Sequence, residues 1–121
     1  MIPAERAHLS ASAITHPGMS GKNNEDRYAV SAFRTESEKP VPVLFAIVSD
    51  GIGGHRAGEI AAEMVVETVS QAVALSNASQ PIQTLRESIM RSSQQILVQA
   101  ESDPEKTGMG APCAGAWIIG D

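Results

Sequence analysis

The chain has 121 residues, of which 42% are hydrophobic and 19% charged, and its formal net charge at pH 7 is −5. This composition is typical of one globular domain with an aliphatic core, since only two Phe, one Tyr and one Trp are present. The 9 Lys and Arg residues are scattered, which argues against nucleic acid and membrane partners, and the single cysteine cannot form an internal disulfide, so we expect a cytoplasmic protein.

The beginning of the chain carries no periodic pattern. Residues 1–10 are mixed in character, so we interpret them as an N-terminal lead-in and residues 11–121 as the domain itself. Residues 11–15 are predicted as a short strand, because they precede a turn signal at Pro17 and Gly18.

Two strands joined as a hairpin are predicted next. Residues 27–33 contain Tyr, Val and Phe, residues 34–42 form a polar connection, and residues 43–49 are apolar at almost every position. A strand of that last kind is typically buried on both sides of its sheet, so we expect other elements to cover both faces of residues 43–49.

Two amphipathic helices and a further strand follow. The first helix is predicted over residues 57–74, where apolar side chains recur at helical spacing and acidic side chains lie on another face. The second helix is predicted over residues 80–100, with Ser79 as its N-terminal cap and Pro81 in its first turn. The last predicted strand covers residues 114–119.

Acidic residues stand at the two open ends of the predicted hairpin. Glu25 and Asp26 precede its first strand, and Asp50 follows its second. Antiparallel pairing brings these ends together, so the three carboxylates are expected to meet at one edge of the sheet, where they need raised pKa values or a cation. Gly51 leaves room for its own carbonyl to turn toward such an ion, and a ligand set of oxygens suits a hard divalent cation.

An ordinary structural role for these residues is the alternative. Asp-Gly and Gly-Gly pairs are common turn dipeptides, and an acid at the end of a strand is often a solvated turn residue. His55, after the glycines, is interpreted as a structural residue that forms hydrogen bonds rather than as a catalytic base. A nucleotide-binding P-loop is excluded, because Glu59 stands where that motif requires lysine.

Three motifs together carry a family resemblance: Asn24-Glu25-Asp26, the segment DGIGGH over residues 50–55, and Ala57-Gly58-Glu59 at the start of a helix. Over residues 14–121 the chain resembles the N-terminal half of the metal-dependent PP2C-type (PPM) serine/threonine protein phosphatases, in their bacterial form. The resemblance implies an α+β fold, a β-sandwich flanked by antiparallel helices, of which residues 11–121 would be the N-terminal portion, about half. It also implies a centre of two Mg²⁺ or Mn²⁺ ions at one end of the sandwich.

The resemblance assigns roles residue by residue. Asp50 matches the acid that bridges both metals, Gly51 the residue whose carbonyl binds one of them, and Glu25 the acid bound to that same ion. Asp26 matches a position outside the ligand set that holds a metal-coordinated water. No catalytic residue beyond these ligands is implied, since water activated by the two ions attacks phosphorus directly.

The chain also departs from the family pattern. Gly21 stands where the family usually has a phosphate-binding arginine, and the neighbouring Lys22 offers a charge without the bidentate fork. Ile52 occupies a position that holds histidine in some members. The later Asp-Gly and Asp-Asn segments that complete the family's ligand set have no counterpart, so we expect this chain to be a weakly active or inactive fragment.

The leading functional prediction is therefore a phosphatase that hydrolyses phosphoserine and phosphothreonine in a phosphoprotein substrate. The alternative is a non-catalytic, pseudophosphatase-like module that binds a partner or regulates one, with self-association through an unpaired sheet edge. A calcium-binding or purely structural α/β domain is the third interpretation.

Overall fold

The computed structural model describes residues 1–21 and 23–121. It has the α+β fold that the sequence predicts, with an antiparallel sheet in the order β1-β2-β3-β4 and two long helices packed on one of its faces. In chain order the elements are β1 (Ile2–Pro3), β2 (Asp26–Arg34), β3 (Pro42–Asp50), α1 (Ala57–Leu75), α2 (Pro81–Ser102), a short 3-10 turn (Pro104–Lys106) and β4 (Cys113–Ile119). Neither long helix of the described chain combines the length and the apolar character needed to cross a bilayer.

Strand β3 lies in the middle of the sheet and has two different faces. Its alternate residues Val43, Phe45 and Ile47 are buried against the helices, because side chains along a strand point in turn to opposite sides. On the other face Val48 is 57% exposed. Leu44, on this same outer face, is buried beside residues 4–11. The prediction that both faces of this strand are covered is therefore correct near Leu44 and wrong near Val48, since both helices pack on the other side of the sheet.

Helix α1 forms the centre of the helical layer. Its buried stripe of Ala61, Val65, Val69 and Val73 follows the predicted spacing of four residues, one turn of a helix apart. The small size of the alanines allows the helix to approach the sheet closely. The prediction of an amphipathic helix in this segment is confirmed.

Helix α2 packs against α1 through small side chains. Ser88 and Ser92 are fully buried, and their hydroxyls donate hydrogen bonds to the carbonyls of Leu85 and Ile89. These bonds satisfy the two buried hydroxyls within the helix itself. A side-chain hydrogen bond also joins the helices, from the Thr68 hydroxyl to Gln95 Oε1. Pro81 begins the helix as predicted, but Ser79 is not the cap, because the capping position is occupied by Gln80.

Two differences from the sequence prediction lie near the N-terminus. Ile2 and Pro3 pair with Arg34 and Phe33 as strand β1, so this part of the predicted lead-in belongs to the sheet. Residues 11–15, predicted as a strand, have no strand structure, and Ile14 is 94% exposed. A short strand persists only where a sheet edge offers it partners, and local composition does not reveal which segment takes that edge.

The two faces of β3 should respond differently to truncation. Phe45→Ala removes a side chain that is 1% exposed and should lower the free energy of unfolding by about 3–5 kcal/mol, because it leaves a cavity in the core. Val48→Ala, on the outer face of the same strand, should change it by less than about 1 kcal/mol. Urea denaturation followed by circular dichroism measures both. Equal losses would contradict this register.

Candidate metal centre

Asp26 and Asp50 lie directly opposite each other at the end of the hairpin. They form the last pair of the β2–β3 register, and their side chains lie on the outer face, in the same row as the exposed Val48. The sequence predicts that these acids meet because antiparallel strands bring the start of one beside the end of the next. The pairing brings these two together as expected.

The facing carboxyl groups alter each other's protonation. The pKa of Asp26 is raised above its ordinary value, first because its protonated carboxyl can donate a hydrogen bond to the Asp50 carboxylate. Partial desolvation and the negative charges of Asp50 and Glu25 raise the pKa further, whereas the Arg27 guanidinium lowers it. A divalent cation near the pair would remove this repulsion, because it favours the charged form of both acids.

Glu25 is held between the hairpin and the first turn of α1. Its carbonyl accepts a hydrogen bond of 3.2 Å from the amide of Gly51. Its carboxylate lies against the α-carbon of Gly58, where an added Cβ would stand 2.5 Å from Oε2. The side chain is half-buried, so its position is set by packing as well as by charge.

The glycines at positions 51 and 58 allow the backbone to approach itself. A Cβ on Gly51 would overlap the carbonyl of Gly58, and it would lie 2.8 Å from the carbonyl oxygen of Glu25. Side chains at these two positions would therefore push the helix away from the hairpin. This contact places the Gly51 backbone and the Glu25 carboxylate side by side.

The donor groups at this edge suit a hard divalent ion. Carboxylate oxygens from Glu25, Asp26 and Asp50 and the carbonyl of Gly51 are all oxygen donors, which Mg²⁺ and Mn²⁺ prefer. Within residues 1–21 and 23–121, however, no three acidic, histidine or cysteine side chains converge closely enough to hold a metal ion. The expected convergence of all three carboxylates is therefore not found, because Asp26 and Asp50 face each other while the Glu25 carboxylate lies against Gly58. The individual ligand roles remain predictions.

The other residues singled out in the sequence surround this edge. Lys22, the predicted phosphate-binding residue, lies outside the described residues. Gly21 and His55 line a cleft of about 450 Å³ that Glu25 also borders. His55 is exposed and has a φ of 54°, and Ile52 is exposed and pairs with Gly110 in an isolated bridge.

Arg27 was not recognised as a functional residue from the sequence. Its guanidinium bonds to the carboxylate of Glu59 at 2.5 Å and to the carbonyls of Asn24 and Asp26 at 3.0 and 2.7 Å. One feature of the sequence could have indicated these contacts. Arg27 has the same strand parity as the core residue Phe33, and a charge on the inner face of a strand requires a partner.

The contact at Gly58 predicts that a substitution which usually stabilises a helix lowers the free energy of unfolding here. Gly58→Ala should lower the free energy of unfolding by about 1–3 kcal/mol, because the new methyl group collides with the Glu25 carboxylate. Gly→Ala within a helix otherwise stabilises by up to about 1 kcal/mol. Gly54→Ala is the matched control, since a Cβ there meets nothing within 4 Å. Urea denaturation should show a loss only for Gly58→Ala, and a gain there would contradict the contact.

The acid pair predicts a pH-dependent effect on stability. A raised pKa in the folded chain means that the charged form of Asp26 disfavours folding. This loss of stability is absent below the pKa of the unfolded chain and is complete once pH exceeds the raised pKa of the folded chain. Asp26→Asn should therefore raise the Tm of the metal-free chain at pH 7 by roughly 1–5 °C, and by nothing at pH 3. Glu36→Gln, in the exposed hairpin loop, controls for the loss of one negative charge. Scanning calorimetry measures both, and an equal gain at pH 3 would contradict the repulsion.

Comparison with known proteins identifies the family to which the chain is similar. The chain matches the protein phosphatase 2C family over residues 17–120. It is 37% identical over 112 residues to the serine/threonine phosphatase stp of Listeria welshimeri, a match that covers 89% of this chain and 42% of that protein.

Solved structures give the same result. The serine/threonine phosphatase of S. agalactiae superposes with a TM-score of 0.66 at 30% identity, covering 89% of this chain and 43% of that one. A mutant bacterial serine phosphatase superposes with a TM-score of 0.74 at 28% identity, covering 93% and 50%. The chain thus spans half or less of the length of these relatives. The family resemblance and the fold predicted from the sequence are confirmed, and the chain belongs to the protein phosphatase 2C family.

Proposed function

We propose that this chain supplies part of the catalytic site of a metal-dependent phosphatase, which hydrolyses phosphoserine and phosphothreonine in proteins. The observation that carries the proposal is the facing pair Asp26 and Asp50, with Glu25 held beside Gly51 by the contact with Gly58. The relatives that the chain matches are themselves named serine/threonine phosphatases. A phosphoprotein is accordingly the proposed substrate.

The chain's own groups suit two Mg²⁺ or Mn²⁺ ions. Asp50 would bridge them, while Glu25 and the carbonyl of Gly51 would bind one. When bound, such ions lower the pKa of a coordinated water so that it attacks phosphorus at neutral pH, and they neutralise the leaving oxygen. Asp26 is exposed beside Asp50, where its carboxylate can accept a hydrogen bond from that water and orient it.

The local charge requires cations before a phosphate can approach. Glu25, Asp26 and Asp50 are all negative when ionised, and a phosphate monoester is also an anion, so the metal-free site repels its own substrate. Lys22 is proposed to offset part of this repulsion as a single point charge. It lacks the paired donors with which an arginine would orient the phosphate.

We propose that the 121-residue chain has weak activity or none by itself, because Glu25 and Asp50 form only part of a binuclear ligand set. A second candidate function, a non-catalytic partner-binding module, is favoured by one observation. Tyr28, Val30 and Val48 form an exposed apolar row on the outer face of the sheet. Uncovered apolar surfaces of this kind are typical of interaction sites, including self-association.

We also propose that the protein acts in the cytoplasm. Its single cysteine, Cys113, is suited to a reducing compartment, since an internal disulfide is impossible. The absence of a membrane-spanning helix in the described chain is compatible with this location without requiring it. Neither nucleic acid nor a membrane surface is a proposed partner.

Metal binding tests the proposal directly. Calorimetric titration with Mn²⁺ should detect binding by the chain, and Asp50→Asn should abolish it because it removes the bridging acid. Glu36→Gln removes an equivalent charge at the opposite end of the hairpin and should leave the affinity unchanged. Absence of Mn²⁺ binding, or an equal loss in both variants, would refute the metal site.

Turnover is the second measurement. With Mn²⁺ and a phosphothreonine peptide, the chain should hydrolyse substrate at least about 100-fold more slowly than the full-length Listeria welshimeri phosphatase, because part of the ligand set is missing. Phosphate release measures the rate. Activity equal to that of the full-length relative would contradict the proposal that this chain's site is incomplete.

A further inference from the structure

Arg27 is a charged residue at the boundary between sheet and helix. It pairs with Ser49 in the register and shares the inner face of the sheet with the core residue Phe33. Its side chain is 31% exposed, and that of Glu59 is 29% exposed, so their ion pair is partly removed from water. Pairs of this kind are screened less by salt than surface pairs, and their geometry is more strongly determined.

The guanidinium also holds the segment that carries Glu25. Its Nη1 group donates to the carbonyls of Asn24 and Asp26, the residues on either side of Glu25. The carbonyl of Glu25 itself accepts from the amide of Gly51. Three successive carbonyls therefore have partners, and the peptide planes flanking Glu25 cannot rotate without breaking a hydrogen bond.

The first turn of α1 contacts Glu25 by two routes. Gly58 touches its carboxylate directly, while the next residue, Glu59, holds Arg27 through Nη2. Arg27 uses both terminal nitrogens of its rigid planar fork, one toward the strand and one toward the helix. A lysine has a single nitrogen and cannot reach both sides in the same way.

We propose that Arg27, oriented by Glu59, is a positioning residue that fixes the Glu25 carboxylate relative to Asp50 and Gly51. The effect on metal affinity rests on the proposed function, whereas the positioning itself is a property of the metal-free chain. Arg27 touches none of the proposed metal ligands through their side chains. It acts through the backbone on both sides of Glu25.

Two readouts in the 121-residue chain test this inference. The first is hydrogen exchange of the Gly51 amide without metal. Exchange should be about tenfold faster in Arg27→Gln, because the carbonyls of Asn24 and Asp26 lose their partner and the peptide planes beside the Glu25 carbonyl can rotate. The amide of Thr35, bonded to Val41 at the other end of the hairpin, should be unchanged. The second readout is Mn²⁺ affinity by calorimetry, expected to weaken about tenfold.

Control variants separate positioning from general destabilisation. Arg27→Lys should retain only part of the exchange protection at Gly51 and part of the Mn²⁺ affinity. Glu59→Gln should also lose part of both, since glutamine keeps a hydrogen-bond acceptor but not the charge. Glu63→Gln, one turn later and exposed, should match the unmodified chain in both readouts. Val73→Ala lowers stability at the far, buried end of α1 and should leave Mn²⁺ affinity unchanged.

The outcomes are distinguishable. Unchanged exchange at Gly51 in Arg27→Gln, or an equal acceleration at Thr35, would overturn the positioning role. A loss of Mn²⁺ affinity of the same size in Val73→Ala would overturn it too, because the effect would then follow stability alone. If the unmodified chain bound no Mn²⁺, the proposed metal site would fail, and the exchange measurement would still decide the role of Arg27.

Discussion

The contact between the backbones of Gly51 and Gly58 is the constraint on which the site depends. It joins the end of the β2–β3 hairpin to the first turn of α1 at a separation that no side chain at either position would permit. Glu25 occupies the remaining space, with its carbonyl bonded to one glycine residue and its carboxylate against the other. The acidic edge is thus assembled by close packing of main chain rather than by attraction between its side chains, which repel each other.

The one-sided architecture explains how such an edge stays accessible. Both helices pack on the inner face of the sheet, where Phe45 and its neighbours form the core, and the acid pair lies on the outer face. The same arrangement leaves Tyr28, Val30 and Val48 exposed. The outer face therefore presents two different kinds of surface side by side, an apolar row and a pair of acids.

Much of this organisation follows from sequence pattern, for reasons that can be named. The meeting of Asp26 and Asp50 was predictable because two antiparallel strands joined by a connection place the start of the first beside the end of the second. The pairing of Arg27 with Glu59 was not, because it depends on where the helix begins in space relative to the strand. Strand β1 was missed for a similar reason, since its pairing is decided by which segment reaches a free edge. The direction of the Glu25 carboxylate likewise depends on the contact with Gly58.

The hairpin loop has a consequence for how this protein can change over time. Because successive residues of a strand alternate between faces, a slip of one position at the loop would exchange the burial of Phe45 and Val48 and rotate Asp50 toward the core, about 27 Å from the slip. Insertions or deletions in residues 36–40 are therefore tolerated only if the hydrogen bond from the Thr35 amide to the Val41 carbonyl is kept, so that the register of β2 and β3 is unchanged. The residue types in that distant loop can vary, but the number of residues is coupled to the face on which Asp50 lies at the opposite end of the hairpin.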